Sequence, residues 1–341
     1  NKHRIYINFT NGTLESPAEY NFPGQLQIYR FFGGEIFFRG DTSKTTKGID
    51  NKVVVNFTYI PSGEDDGNAA YHSGLRIYNC HSQVTVQGIK FTTKAKYGPC
   101  VFFDNGSPGN VNYCTFSSAR TDESGNRIYY YGEGVRCNKS QVGLFENIFD
   151  GLRRALYTYN NAFIKTVQCE DVVTLKRKHD HVTAEINHLT SQIDALPDGA
   201  ERDAKIAQRT TKQSELNNYN PSTFASDIAR PQYGMSAYEG VFLSLDSMYS
   251  GRIVGTTSSE VAGSGSLITN SGGNVLETKL ATRDYYVNIP YTYTYDDIKR
   301  AVDELPKNQN GYNYYIRFGY NLDGEKLTGT NTWDFGGKVL T

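Results

Sequence analysis

Four carboxylates lie beside arginines in the middle of the chain: Glu133, Asp150, Glu170 and Asp171, with Arg136, Arg153 and Arg154 close in sequence. Cleaving a glycosidic bond by hydrolysis takes two carboxyl groups about 5–10 Å apart, one as acid and one as nucleophile or base. Acids beside arginines also form ordinary surface ion pairs, and the residues alone leave both readings open. A second chemistry rests on aromatic side chains. Tyr is frequent, 26 in 341 residues, and it supplies rigid amphipathic area on which sugar rings dock at low entropic cost. Tyr129, Tyr130, Tyr131, Tyr157 and Tyr159, with Arg136 and Arg153, form the candidate carbohydrate-binding set. Packing inside the protein or between copies is the alternative for these tyrosines.

The elements that must position these groups repeat. Leu75-Arg76-Ile77-Tyr78-Asn79-Cys80-His81-Ser82-Gln83-Val84 is echoed by Val135-Arg136-Cys137-Asn138-Lys139-Ser140-Gln141-Val142. Looser copies start at Cys100 and Ala155, each with Asn at the corner between two strands. Strands of period two, recurring roughly every twenty to thirty residues without intervening helix, predict a coiled solenoid. The expected fold class is all-β, a right-handed parallel β-helix. Stacked strands lie about 5 Å apart, so carboxylates one or two rungs apart on the same face would supply a catalytic pair. Arg120 to Asn126 is a polar excursion that lengthens one turn, and such insertions commonly carry binding surface.

Composition excludes several classes. Lys+Arg 35 against Asp+Glu 36 gives a net charge of -1, which makes no electrostatic case for nucleic acid or for an anionic membrane. No apolar run is long enough to insert in a membrane. Cys80, Cys100, Cys114, Cys137 and Cys169 fall on or beside apolar strand positions and never in a C-x-x-C pair. They read as reduced thiols packed as small hydrophobes in a protein made in a cytoplasm, with no metal or other cofactor expected. The chain opens at Asn1 without Met or leader, as a fragment or processed product would.

The language changes at 178–219. Val182, Ile186, Leu189, Ile193 and Leu196 make a narrow helical seam stopped by Pro197-Asp198-Gly199, and a more polar helical run follows. An antiparallel helical hairpin is therefore expected as an insert in a β-helix unit spanning 1–284. His181 and His188 lie off the seam and read as solvated rather than metal-binding. Residues 285–341 restart the pattern: Asn310 to Phe318 matches Asn1 to Phe9, and Asp334 to Val339 matches Phe31 to Ile36. Before this restart, Tyr295 to Pro306 reads as an amphipathic capping helix.

Asn288-Ile289-Pro290, the helix, Leu305-Pro306-Lys307-Asn308, Asn310-Gly311-Tyr312, an alternating strand and Phe-Gly-Gly together resemble the opening of pectate-lyase-like β-helix units of bacteriophage tail fibres and tailspikes. The resemblance implies a homotrimer on the virion tail, made in the host cytoplasm, joined to other tail or fibre proteins and contacting bacterial surface polysaccharide. Attachment is the expected function and glycan cleavage the alternative. A plain spacer along a fibre shaft is the third reading.

Overall fold

The computed structural model describes residues 3–13, 15–40, 51–62, 71–218, 224–244, 253–262, 267–269, 283–303, 312–320 and 326–328. Three sheets of eight, seven and six strands are parallel throughout, and through the central rungs each strand pairs with the strand three places away in sequence. One rung thus gives one strand to each sheet. This stacking is consistent with a parallel β-helix, but the expected all-β class is corrected. Among the described residues, three helices accompany the sheets: α1 (Val172–Ala195), α2 (Ala200–Asn218) and α3 (Tyr295–Asp303).

The repeats form rungs because alternate residues face a shared interior. Leu75, Val101, Val135, Leu156 and Met235 occupy one register position of the seven-stranded sheet, and all are buried. In the six-stranded sheet Phe57, Phe91, Phe116 and Phe149 stack face to face, with centroids 6.3, 5.7 and 5.3 Å apart. Offset aromatic stacking adds to the area these rings remove from water. All five cysteines are free and buried among these side chains; burial pushes the Cys114 thiol up to about 12, which leaves it unreactive.

Corners are built by left-handed backbone. Asn79, Asn105 and Asn160 have positive φ at equivalent corners, whereas Lys139, not Asn138, takes that conformation in the remaining copy. Amides continue from rung to rung all the same: Asn105 donates to Asn79, Asn138 Nδ2 to Asp104 at 2.7 Å and Asn160 Nδ2 to Asn138 at 3.1 Å. The second corner uses Tyr113, Glu146 and Gln168, so Asn is not obligatory. The 120–126 excursion folds on itself through a Thr121–Arg127 antiparallel bridge. Asp122 accepts the Ser124 and Asn126 amides at 2.9 and 2.8 Å, and residues 121–126 are exposed.

The chain divides into two compact units, Asn1–Thr174 with Thr223–Ser247 and Gly251–Val275, and Leu175–Ser222 with Met248–Ser250 and Leu276–Thr341. The hairpin, expected as an insert in the first unit, falls in the second. Its first helix starts at Val172, ahead of the expected Lys178, because Asp171 caps it by accepting Thr174 N at 2.9 Å and Thr174 Oγ1 at 2.7 Å.

Within the second unit the seam residues Val182, Ile186, Leu189 and Ile193 are buried, as is a polar row that the sequence left in solvent. His181 is buried and its Nδ1 lies 2.9 Å from Thr292 Oγ1, while Glu185 pairs with Lys212 at 2.8 Å. His188 is exposed, its ring 5.3 Å from that of Tyr291. The polar row is covered because the 290–293 turn of the same unit packs on it. In α3, Thr294 and Asp297 cap the helix and Ile298 is fully buried. Tyr312–Phe318 pairs in parallel with Arg283–Ile289; the second match, Asp334 to Val339, lies outside the described residues.

Candidate carbohydrate-binding face

The strand Glu133–Asn138 sits between Pro99–Asp104 and Arg154–Tyr159 in the seven-stranded sheet. Its odd positions Val135 and Cys137 enter the core, so Arg136 and Asn138 emerge on the outer face. Register then aligns two outer rows. One runs Gln27, Arg76, Phe102, Arg136, Tyr157 and Ser236; the other runs Tyr29, Tyr78, Asp104, Asn138, Tyr159 and Tyr238.

Phe102 lies between two guanidiniums, with Arg76 and Arg136 at 5.7 and 5.6 Å from its ring centre. Tyr157 and Tyr159 stack 5.2 Å apart, and Arg154 covers Tyr157 at 4.4 Å. Both tyrosines are half-buried, and Tyr238 beyond them is 41% exposed. Asp104 accepts Arg76 at 2.5 and 3.0 Å. These contacts fix the rings: Phe102 is fully buried, while Tyr157, Tyr159 and Tyr238 keep part of their surface open to solvent.

Glu133 is the buried anchor of this face. Its carboxylate is 0% exposed, with Arg136 Nε and Nη2 both 2.7 Å from Oε2 and Arg154 Nη1 2.9 Å from Oε1. Arg153 Nη1 is 3.8 Å away. Burial pushes the carboxyl up, but Arg136 and Arg154 outweigh it and hold the group below the usual carboxylate range. It is therefore ionised and occupied at neutral pH, a poor general acid and a strong clamp.

The other expected acids occupy the six-stranded sheet, where Asp150 and Asp171 serve local structure. Asp150 pairs with Arg127 at 2.9 Å and accepts Ser117 Oγ and Ala229 N at 3.1 and 3.0 Å. Asp171 is the α1 cap and also accepts Val254 N at 2.9 Å. Glu170 is buried beside it in strand Glu170–Asp171. Glu133 thus stands on a different sheet from the other three, and each of Glu133, Asp150 and Asp171 already has charged or hydrogen-bonding partners.

The tyrosines separate in the same way. Tyr157 and Tyr159 belong to the outer face, whereas Tyr129 and Tyr130 sit at the excursion, where Tyr129 donates to Asp227 O at 3.1 Å and Arg127 stacks on its ring at 5.2 Å. Tyr131 lies under Arg120, 5.8 Å from its guanidinium. Arg76, Phe102, Asp104, Tyr78 and Tyr238 were not singled out from sequence. The signal for Arg76 was present, since the aligned repeats put it in the same position as Arg136; Phe102 and Asp104 became part of the face only through register. No family model, curated protein or solved structure matches this chain.

Proposed function

We propose that this chain is an attachment segment of a bacteriophage tail fibre, which binds bacterial surface polysaccharide through the outer face of the seven-stranded sheet. The observation that carries the reading is the stacked, partly open pair Tyr157 and Tyr159, continued by Tyr238 and bordered by arginines and Asn138. Aromatic rings accept the C–H face of a sugar while bordering donors take its hydroxyls. The resemblance of the 288–337 stretch to tail-fibre units supplies the biological setting: a virion component that associates with copies of itself and with other fibre proteins.

The test is binding of surface polysaccharide from a panel of bacteria, with reducing-end release followed in parallel. Attachment predicts binding that falls at least tenfold in Tyr157→Ala/Tyr159→Ala, with no release of reducing ends. Binding unaffected by the double variant overturns this face as the receptor site. Release of reducing ends would restore the depolymerase reading.

A further inference from the structure

The strand Arg4–Asn8 ends the eight-stranded sheet and, among the described residues, pairs on one side only, with Glu35–Arg39. Its Ile5 and Ile7 align with Ile36 and Phe38, which are buried. Ile5 and Ile7 are nevertheless 44% and 39% exposed, because no described rung lies on their other side. An edge that offers backbone hydrogen-bonding groups beside an apolar row is a template for one more strand.

The chain carries a strand that fits. Asn1 to Phe9 and Asn310 to Phe318 are two versions of one sequence pattern, and the later version pairs in parallel with Arg283–Ile289: Val287 with Ile316, Asn288 with Arg317, Ile289 with Phe318. By that match Ile7, Asn8 and Phe9 are the counterparts of Ile316, Arg317 and Phe318. Arg283–Ile289 with α3 behind it is therefore a cap that either version completes.

A polar pair separates the two versions. Asn288 is buried opposite Arg317, and neither its Nδ2 nor its Oδ1 has a hydrogen-bond partner among the described residues. A buried amide left unpaired is costly. In the place of Arg317, Asn8 brings an amide whose Oδ1 accepts Arg39 Nε at 2.6 Å and whose Nδ2 is left for Asn288 Oδ1. Aligned asparagines already bond this way in the column, where Asn56 Nδ2 donates to Asn21 Oδ1 at 3.0 Å. The exchange also lays Val287 on Ile7, while Ile316 and Phe318, 46% and 42% exposed, have only partial cover to lose.

We infer that Arg4–Asn8 is a docking edge for a second copy of this chain, which releases its own Tyr312–Phe318 and covers the edge with its Arg283–Ile289 and α3. Exchanging like elements between copies is a low-cost route to association. Repeated, it joins copies head to tail, a heterologous contact that extends into an open fibre unless it closes on itself. The inference is independent of the polysaccharide reading.

Full-length Ile7→Cys mixed with full-length Val287→Cys and oxidised with diamide tests the register. Neighbouring strands lie about 5 Å apart, within reach of a disulfide, and the five native cysteines are buried. A disulfide-linked dimer should form at least tenfold more readily than between Ile7→Cys and Asn288→Cys, since a shift of one residue turns the side chain to the other face. Adding Asn8→Ala to the first partner should lower the yield about tenfold. Adding Ile316→Asn to the second, which loosens the rival strand, should raise it.

No dimer between Ile7→Cys and Val287→Cys, with both variants at the parent melting temperature, overturns the docking edge. Equal yields with Val287→Cys and Asn288→Cys overturn it as well, because random collision explains them. A yield that Ile316→Asn leaves unchanged or lowers shows that no exchange takes place. Sedimentation of the chain without added cysteines decides the matter should either cysteine variant fail to fold: the head-to-tail species should vanish in Ile5→Asp/Ile7→Asp, and an association state indifferent to that change overturns the inference.

Discussion

Two regions of the first unit place an acid beside arginines, and they end in opposite states. At the excursion, Asp150 meets Arg127, whose guanidinium also donates to Ser118 O, Asp150 O and Asp227 O. That guanidinium faces two carboxylates, Asp150 at 2.9 Å and Asp227 at 4.0 Å, and its other donors go to backbone carbonyls and to the Ser117 hydroxyl. On the outer face of the seven-stranded sheet, Glu133 is surrounded by three arginines and aromatic rings. The first arrangement ties a loop down, and the second clamps neighbouring strands of one sheet together. An arginine next to an acid in sequence therefore carries no functional meaning until its remaining donors are counted.

The largest expected effect comes from Glu133. Removing one member of a buried ion pair leaves unpaired charge, so Glu133→Gln should cost about 3–5 kcal/mol in urea unfolding. A catalytic residue on an accessible surface would cost far less, and a loss under 1 kcal/mol would break the comparison at its root. Asp150→Asn keeps the side-chain shape but weakens its ion pair, and should cost about 1–3 kcal/mol, with faster hydrogen exchange at Ala229 and in residues 117–131.

Acid sharpens the same contrast. The Glu133 carboxyl is held below its ordinary value, so the stability it contributes is complete above the unfolded value of about 4.3 and is lost as pH falls through the folded value. Melting temperature should stay level with respect to this group from neutral pH down to about 5 and fall below that. Glu133→Gln, if it folds, should remove part of that fall. The smallest effect is expected at Arg153: Arg153→Gln removes a cation disfavoured by burial and by Arg154, and should leave melting temperature unchanged or slightly raised. A clear destabilisation would mean that Arg153 belongs to the clamp.

The phenylalanine stack provides the scale for these numbers. Phe116→Ala, between Phe91 and Phe149, should cost about 3–5 kcal/mol without altering binding to any polysaccharide. Equal losses at Phe116 and Glu133 would show a buried clamp to be as structural as the core itself.

Much of the column was legible in the sequence because each rung is written locally. The alternation of Leu75, Ile77, Val135 and Cys137 with polar residues, the Asn-bearing corners and the hairpin seam are near-neighbour patterns, and burial requires that periodicity whatever the distant contacts. Elsewhere the reading slipped: the first helix was expected from Lys178 but starts at Val172, and His181 looked solvated because its covering segment lies more than a hundred residues away. The candidate residues were mostly named, but their roles were not. Asp171 beside Val172 turned out to cap a helix, and Asp150 to hold a loop.

Sequence alone determined that this chain stacks short parallel strands around an apolar interior, interrupts them with a helical hairpin, and carries many tyrosines and arginines. Only tertiary structure decided which of those meet. Register brought Arg76, Phe102, Arg136 and Tyr157 into one row from four separate rungs, and it is register that left three arginines around a single buried Glu133. Electrostatic balance depends on distances between residues far apart in sequence, and those distances exist only once the rungs are stacked.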